Sequence, residues 1–254
     1  MRKEENCKIL QAVRLPSGGY SFTVQSNGMA ADMEGPGQFV HIRCGENLLR
    51  RPISVCNWSA EEDTIRLVFE VRGEGTLWLS RRKAGDTLDI LGPLGHGFSM
   101  EPEGRYLLVG GGIGVPPMLG CACHGGQEHT AVLGFRSGAH AMLLDDFRKV
   151  CANVCVATDD GSLGHPGFVD ELVQEELKQR KYTAVLACGP KAMLRAVARV
   201  SAEEGIPCQV SMEERMGCGV GACLVCACRM ADGRYRHVCK NGPVFEAGEV
   251  KWNE

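Results

Sequence analysis

The sequence has no apolar run near the length needed to cross a bilayer, so a helical membrane protein is not expected. It has no Lys/Arg tract that could follow a phosphate backbone, and its net charge of −3 leans the other way. Nucleic acid is therefore not an expected partner. The opening MRKEENCKILQAV lacks an uninterrupted apolar core, so neither a signal peptide nor a membrane anchor is expected there. No internal repeat or low-complexity stretch is visible. No Ser-His-Asp arrangement or carboxylate pair stands out for acid–base work, and no catalytic residue is assigned.

What the 254 residues hold in quantity is cysteine, fourteen in all, and glycine, thirty-three. In a small secreted chain the cysteines would suggest disulfides. Here several lie in apolar segments such as VCVAT (154–158) and AVLACG (184–189), where a free thiol packs as a small hydrophobe. A reducing cytoplasm is the expected compartment. Four others, Cys218, Cys223, Cys226 and Cys239, read C-x4-C-x2-C-x12-C. The first three have the plant-type [2Fe–2S] spacing, with the fourth ligand arriving from further along. Gly217, Gly219 and Gly221 stand among them. Glycine takes the φ > 0 turns by which a loop brings N–H groups to sulfur. A four-cysteine structural zinc site is the rival, although such sites usually present two short knuckles and Cys239 stands alone. Cys228 lies on strand-like sequence and reads as a packed thiol, not a ligand.

The length suggests about two domains with proper cores. Residues 1–100 carry short strand-like runs, CKILQAVRL, SFTVQS, GQFVHIRC and TIRLVFEV, broken by Gly and Pro turns. This predicts a small antiparallel β-barrel. From 101 to 210 the texture alternates: RYLLVGG, VPPMLGCACHG, TAVLGFRS, a run at 139–150, NVCVATDD, FVDELVQEELKQR, YTAVLACG, PKAMLRAVARVSAEEG and CQVSM. Alternating strands and helices predict a doubly wound parallel α/β domain, with Pro190 at the first position of its last helix. Residues 211–254 form a small C-terminal cluster domain that is expected to pack on the barrel. The expected fold class is therefore multidomain.

Three further stretches draw notice. LRRPISV (49–55) spaces Arg51 and Ser54 around Pro52 and Ile53; on its own it also suits a barrel strand with an exposed arginine. VFEVRGEGT (68–76) ends in a glycine turn, with Thr76 ready to cap a short helix whose N-terminus would attract phosphate. LLVGGGIGVPPM (107–118) puts Gly110, Gly111, Gly112 and Gly114 between a strand and a helix, where a pyrophosphate is cradled in such sheets, or where a tight turn simply needs glycine. It is not the G-x-G-x-x-G fingerprint. Cys188, Gly189 and Pro190 open a later helix at the same end of the sheet. Asp159 and Asp160, after another strand, would disfavour a 2′-phosphate and so hint at NADH, or form a solvated turn.

Taken together, these motifs resemble the ferredoxin reductase superfamily. The carriers are Arg-Pro-Ile-Ser at 51–54, Gly-Glu-Gly-Thr at 73–76, Gly-Gly-Ile-Gly-Val-Pro-Pro at 111–117 and Cys-Gly-Pro at 188–190. With ERMGCGVGACLVC placed after the nucleotide domain, the chain is similar to the electron transfer subunits of class 1B dihydroorotate dehydrogenases. That resemblance implies FAD, one [2Fe–2S] cluster, NAD, and an FMN-containing catalytic subunit in a heterotetramer of two of each, serving pyrimidine biosynthesis. It implies that Arg51, Pro52, Ile53 and Ser54, with Val68, Phe69, Glu70, Gly75 and Thr76, contact the flavin. Arg51 would sit on its pyrophosphate and Ser54 near its reactive nitrogen. Ile53 replaces a tyrosine common in the superfamily, which removes one source of ring stacking. Competing expectations are an NAD(P)H:acceptor reductase feeding a ferredoxin or an oxygenase, and a zinc-stabilised nucleotide-binding module without redox turnover.

Overall fold

The computed structural model describes residues 3–125 and 128–252. Its N-terminal part is a closed antiparallel barrel of six strands: β1 (Lys3–Arg14), β2 (Tyr20–Gln25), β3 (Phe39–Ile42), β4 (Arg51–Ser59), β5 (Thr64–Phe69) and β6 (Thr87–Leu94). Helix α1 (Glu74–Ser80) bridges the last two strands. The order around the barrel is β1-β2-β5-β4-β3-β6. Closure depends on β1 serving two neighbours. Lys3–Lys8 pair with β6 and Ile9–Arg14 with β2, and an irregularity between Ile9 and Gln11 turns the strand from one to the other. Ile9, Phe22, Val24, Val40, Ile42, Ile53, Val55, Ile65 and Leu67 fill the interior. β6 is not among the segments the sequence picks out, because Gly92 and Pro93 interrupt its apolar run.

The second part alternates β7 (Tyr106–Gly111), α2 (Val115–His124), β8 (Thr130–Phe135), α3 (Leu144–Val150), β9 (Asn153–Thr158), β10 (His165–Pro166), α4 (Val169–Gln179), β11 (Ala184–Cys188), α5 (Lys191–Glu203) and β12 (Cys208–Ser211). The remaining elements are β13 (Ala227–Arg229), β14 (Tyr235–His237), α6 (Val238–Asn241) and β15 (Val244–Glu246). One sheet has the order β10-β9-β8-β7-β11-β12-β15, parallel except for β15. The chain winds outward from β7 to β9, then returns to β11 on the other side of β7. The topological switch point therefore lies between β7 and β11, where such sheets bind ligands. Pro190 is the N-cap of α5 and not its first helical residue, one position from expectation. Leu194, Val197 and Val200 form the buried stripe.

Barrel and sheet meet through α2 and β4. A side chain at Gly120 would begin 3.0 Å from the Cys56 carbonyl oxygen, so the helix rests directly on the strand's backbone. His124 stacks on Trp58 with ring centroids 3.5 Å apart, and its Nε2 lies 2.9 Å from Asn57 Oδ1.

The C-terminal segment touches both parts. Its hairpin β13–β14 buries Cys228, and β15 pairs antiparallel with β12 as the sheet's edge. It also covers the outside of β3, whose four residues are all buried. Val40 and Ile42 face the barrel core, whereas Phe39 belongs to the other core cluster, the one that also holds Cys226, Val238, Cys239 and Phe245. Contact with the barrel matches expectation; the shared edge strand is an addition.

Candidate functional site

The two weak barrel motifs come together in space. On β4, Ile53 and Val55 enter the barrel core, which puts Pro52 and Ser54 on the outer face. Arg51, at the mouth, lays its side chain across the first turn of α1: a Cβ at Gly75 would fall 2.4 Å from Arg51 Nε. The guanidinium donates to the carbonyls of Leu49 and Arg50 and to Asn47 Oδ1. Among the described residues no carboxylate pairs with it, so its charge is available to an anion. Thr76 does cap α1, but from the third helical position. Its hydroxyl accepts from the Arg72 and Gly73 N–H groups at 2.8 and 3.2 Å. Val68 and Phe69 are 4% and 1% exposed. Phe69 packs edge-on to Phe22 and stacks with Tyr20, so only the main chain at these two positions is left to line a ligand site. Glu70 pairs with Arg72 at 3.3 Å.

At the switch point the turn after β7 packs backbone to backbone on the turn after β11. A Cβ at Gly114 would stand 2.3 Å from the Cys188 oxygen, and one at Gly111 2.4 Å from Met193 Sδ. Gly189, at φ 159°, touches Gly111 in turn. Packing thus accounts for glycine at 111, 114 and 189. Gly112 differs: it has φ 53° and open space where a side chain would be. Pro116 and Pro117 occupy the first turn of α2 and remove two of its N–H donors, so the Gly112–Gly114 turn is left to offer N–H groups. Asp159 and Asp160 are exposed past β9. Asp160 accepts from the Ser162 N–H and hydroxyl at 3.0 and 2.6 Å, which lowers its pKa and commits it to the local turn.

The cysteine segment forms two pairs. Cys218 Sγ accepts N–H groups from Val220, Ala222 and Cys223 at 3.3 to 3.4 Å. Burial works against the thiolate, but these donors outweigh it and bring Cys218 down to about 6. Cys226 Sγ accepts the Cys239 N–H at 3.4 Å; burial and the neighbouring Cys226 push the Cys239 thiol up. Gly219 and Gly221, at φ 72° and 85°, supply the left-handed turns. Among the described residues no three His, Cys, Asp or Glu side chains gather as ligands of one ion. Two thiol pairs suit a binuclear cluster, with two thiolates per iron, and the N–H groups aimed at sulfur fit the charge such a cluster carries. Cys226 and Cys239 are buried; Cys223, Leu224 and Val225 are exposed.

Three residues escaped the sequence reading. Ser211 and Glu213 lie at the carboxyl end of β12 beside Cys188. Burial raises that thiol to about 12, Ser211 partly offsets the shift and Glu213 adds to it. The third is His41, wholly buried between β3 and the cysteine loop. Burial first, then Arg50, pushes it down to about 4. The main chain of Cys218 and of Arg50 favours the charged ring slightly, yet among the described residues neither ring nitrogen meets a partner at full hydrogen-bonding geometry. None of the three sits in a motif with a local spacing.

Residues 213–251 match the iron-sulfur cluster binding domain of dihydroorotate dehydrogenase B. The dihydroorotate dehydrogenase B (NAD(+)) electron transfer subunit of Bacillus caldolyticus is 42% identical over 242 residues, covering 91% of this chain and 92% of its own. That of Geobacillus kaustophilus (strain HTA426) is 41% identical over the same length and shares. Among solved structures, an NADH-dependent reduced ferredoxin-NADP oxidoreductase studied for flavin-based electron bifurcation superposes with TM-score 0.87 at 33% identity. That match covers 96% of this chain and 89% of the other. The ferredoxin reductase of carbazole 1,9a-dioxygenase, at 21% identity and TM-score 0.68 over 81% of this chain and 67% of its own, shares the fold. With two fifths of its residues identical across nine tenths of both lengths, the chain belongs to the family of dihydroorotate dehydrogenase B electron transfer subunits.

Proposed function

We propose that this chain takes electrons from NADH and passes them, through FAD and a [2Fe–2S] cluster, to the catalytic subunit of a dihydroorotate dehydrogenase B. The observation that carries this reading is one wall of the barrel. The Arg51–Ser54 stretch lies on β4, β4 pairs with β3, and the cysteine loop rests on the outer face of β3. The flavin motif and the cluster segment are thus separated by a single strand. When bound, FAD supplies the exchange between the electron pair of NADH and the single electrons a cluster takes.

The protein's own residues bind and orient. Arg51, whose side chain lies across the space that Gly75 leaves, would offer its charge to the FAD pyrophosphate. Ser54, on the outer face of β4, would contact the flavin, together with the main chain of Pro52, Ile53, Val68 and Phe69 and the residues Glu70 and Thr76. Gly111, Gly112 and Gly114 with Cys188, Gly189 and Pro190 form the NAD crevice, and the Asp159 carboxylate disfavours a 2′-phosphate. Cys218, Cys223, Cys226 and Cys239 would hold the cluster. Units 1–100, 101–210 and 211–254 serve flavin, nucleotide and cluster, the last lending β15 to the sheet. The partner carries FMN in a heterotetramer of two of each subunit in the cytoplasm. No helix of the described residues is long and apolar enough to cross a membrane.

Anaerobic purification should yield one FAD and two irons per chain, with acid-labile sulfide; stoichiometric zinc without sulfide refutes the reading. Cys226→Ser should keep NADH oxidation by a dye that takes electrons from flavin and lose NADH-dependent orotate reduction in the reconstituted complex. Survival of both activities would take the cluster off the route. A second reading, a reductase of this architecture with a different partner, is favoured by the 0.87 superposition. Failure to bind an FMN-containing dehydrogenase would decide for it.

A further inference from the structure

His41 is a buried polar side chain that the proposed route leaves without a role. It pairs with Pro52 across the β3–β4 ladder, so it stands directly beside the flavin motif. Its backbone is pinned, because Arg50 Nη1 donates to the His41 oxygen while also bonding Asp89 Oδ1 at 2.7 Å. Strand alternation sends Val40 and Ile42 into the barrel and His41 outward, against the cysteine loop. There its Nδ1 lies 2.7 Å from where a Gly219 side chain would begin, next to Cys218. The ring has no exposed surface, and among the described residues neither nitrogen meets a partner at full hydrogen-bonding geometry, although the main chain of Cys218 and of Arg50 lies close enough to favour the charged ring. A buried imidazole whose nitrogens are left under-bonded is costly and calls for an explanation, of which a bound group that completes the bonding is one.

We infer that His41 is a positioning residue for the cluster, donating a ring N–H to its sulfur from the barrel side. The inference rests on the cluster reading above. The main-chain donors of Val220, Ala222 and Cys223 approach Cys218 from within the loop. His41 adds a donor from the strand that adjoins the flavin motif, so one side chain sets both the seating of the loop and the potential of the cluster. Hydrogen bonds to sulfur raise a cluster's potential by stabilising the extra negative charge of the reduced state. The steric fit is mutual: any residue other than glycine at 219 would displace the ring.

The test uses the intact protein with FAD and cluster bound, reduced and labelled with ¹⁵N in histidine only. Pulsed electron paramagnetic resonance should detect a histidine nitrogen coupled to the reduced cluster, and His41→Asn should lose that coupling. The cluster's midpoint potential should fall in His41→Leu and return toward wild type in His41→Asn, whose amide restores a donor near Nδ1. FAD content serves as the check on folding. A cluster signal with no histidine coupling in the wild-type protein overturns the inference and needs no variant. So does a His41→Leu protein with unchanged potential and g-values. A reduced protein with no iron signal at all overturns this inference together with the cluster reading.

Discussion

Alanine at position 75 would place a methyl carbon inside the volume of Arg51, 2.4 Å from Nε, 2.8 Å from Cζ and 2.9 Å from Cγ. None of these distances can stand, and the movable party is the arginine side chain. The backbone has no objection to alanine: Gly75 lies in α1 without a left-handed φ, and alanine favours a helix over glycine by about 0.5–1 kcal/mol. The apo-protein should therefore melt at or slightly above the wild-type temperature. On the role proposed above, displacing Arg51 would remove one charged hydrogen bond to the FAD pyrophosphate, worth about 1.5–3 kcal/mol. That predicts roughly 10- to 150-fold weaker FAD binding. Titrating deflavinated protein with FAD by fluorescence, beside a thermal melt, reads both quantities. An unchanged Kd with a lowered melting temperature would show that Gly75 serves packing and that Arg51 does not reach the flavin.

Gly114→Ala makes the opposite kind of collision, main chain on main chain, 2.3 Å from the Cys188 oxygen and 2.6 Å from the Gly189 nitrogen. It should cost about 1–3 kcal/mol of stability in a urea titration, and a midpoint equal to wild type would mean that the two turns do not pack as described. His129 is buried, accepts the Tyr106 N–H on Nδ1 at 3.2 Å, and burial holds its pKa below the ordinary 6.5. Because the folded state resists protonating it, stability should be full above pH 6.5 and decline as pH falls below that value. His129→Asn, which keeps an acceptor but does not titrate, should flatten that part of the curve; an identical decline would assign it to other groups.

The sequence made visible whatever is written locally. Continuous apolar runs marked β7, β8, β9 and β11 because helices cover both faces of that sheet. The cysteine spacing was readable because three of the four thiols lie on one loop. Reasons that depend on distant chain were hidden. The glycines at 111 and 114 look like a phosphate cradle, yet most of their demand comes from the Cys188–Pro190 turn pressed against them. β15 has three residues and carries no periodicity of its own, so only β12 reveals it as a strand. His41 sits in GQFVHIRC as one more strand residue, and its burial depends on a loop from the far end of the chain.

The pairing of β15 with β12 also sets an order of events during synthesis. The barrel and six strands of the sheet leave the ribosome before residues 244–246 do. Until then β12 presents an unpaired edge, and Phe39 on the barrel wall has no cover. An open edge and an exposed aromatic are what aggregation and chaperones act upon. The iron-binding segment is thus also the fastener that closes this edge. A lesion there would show first as insoluble protein, and only in the surviving fraction as electrons that fail to arrive.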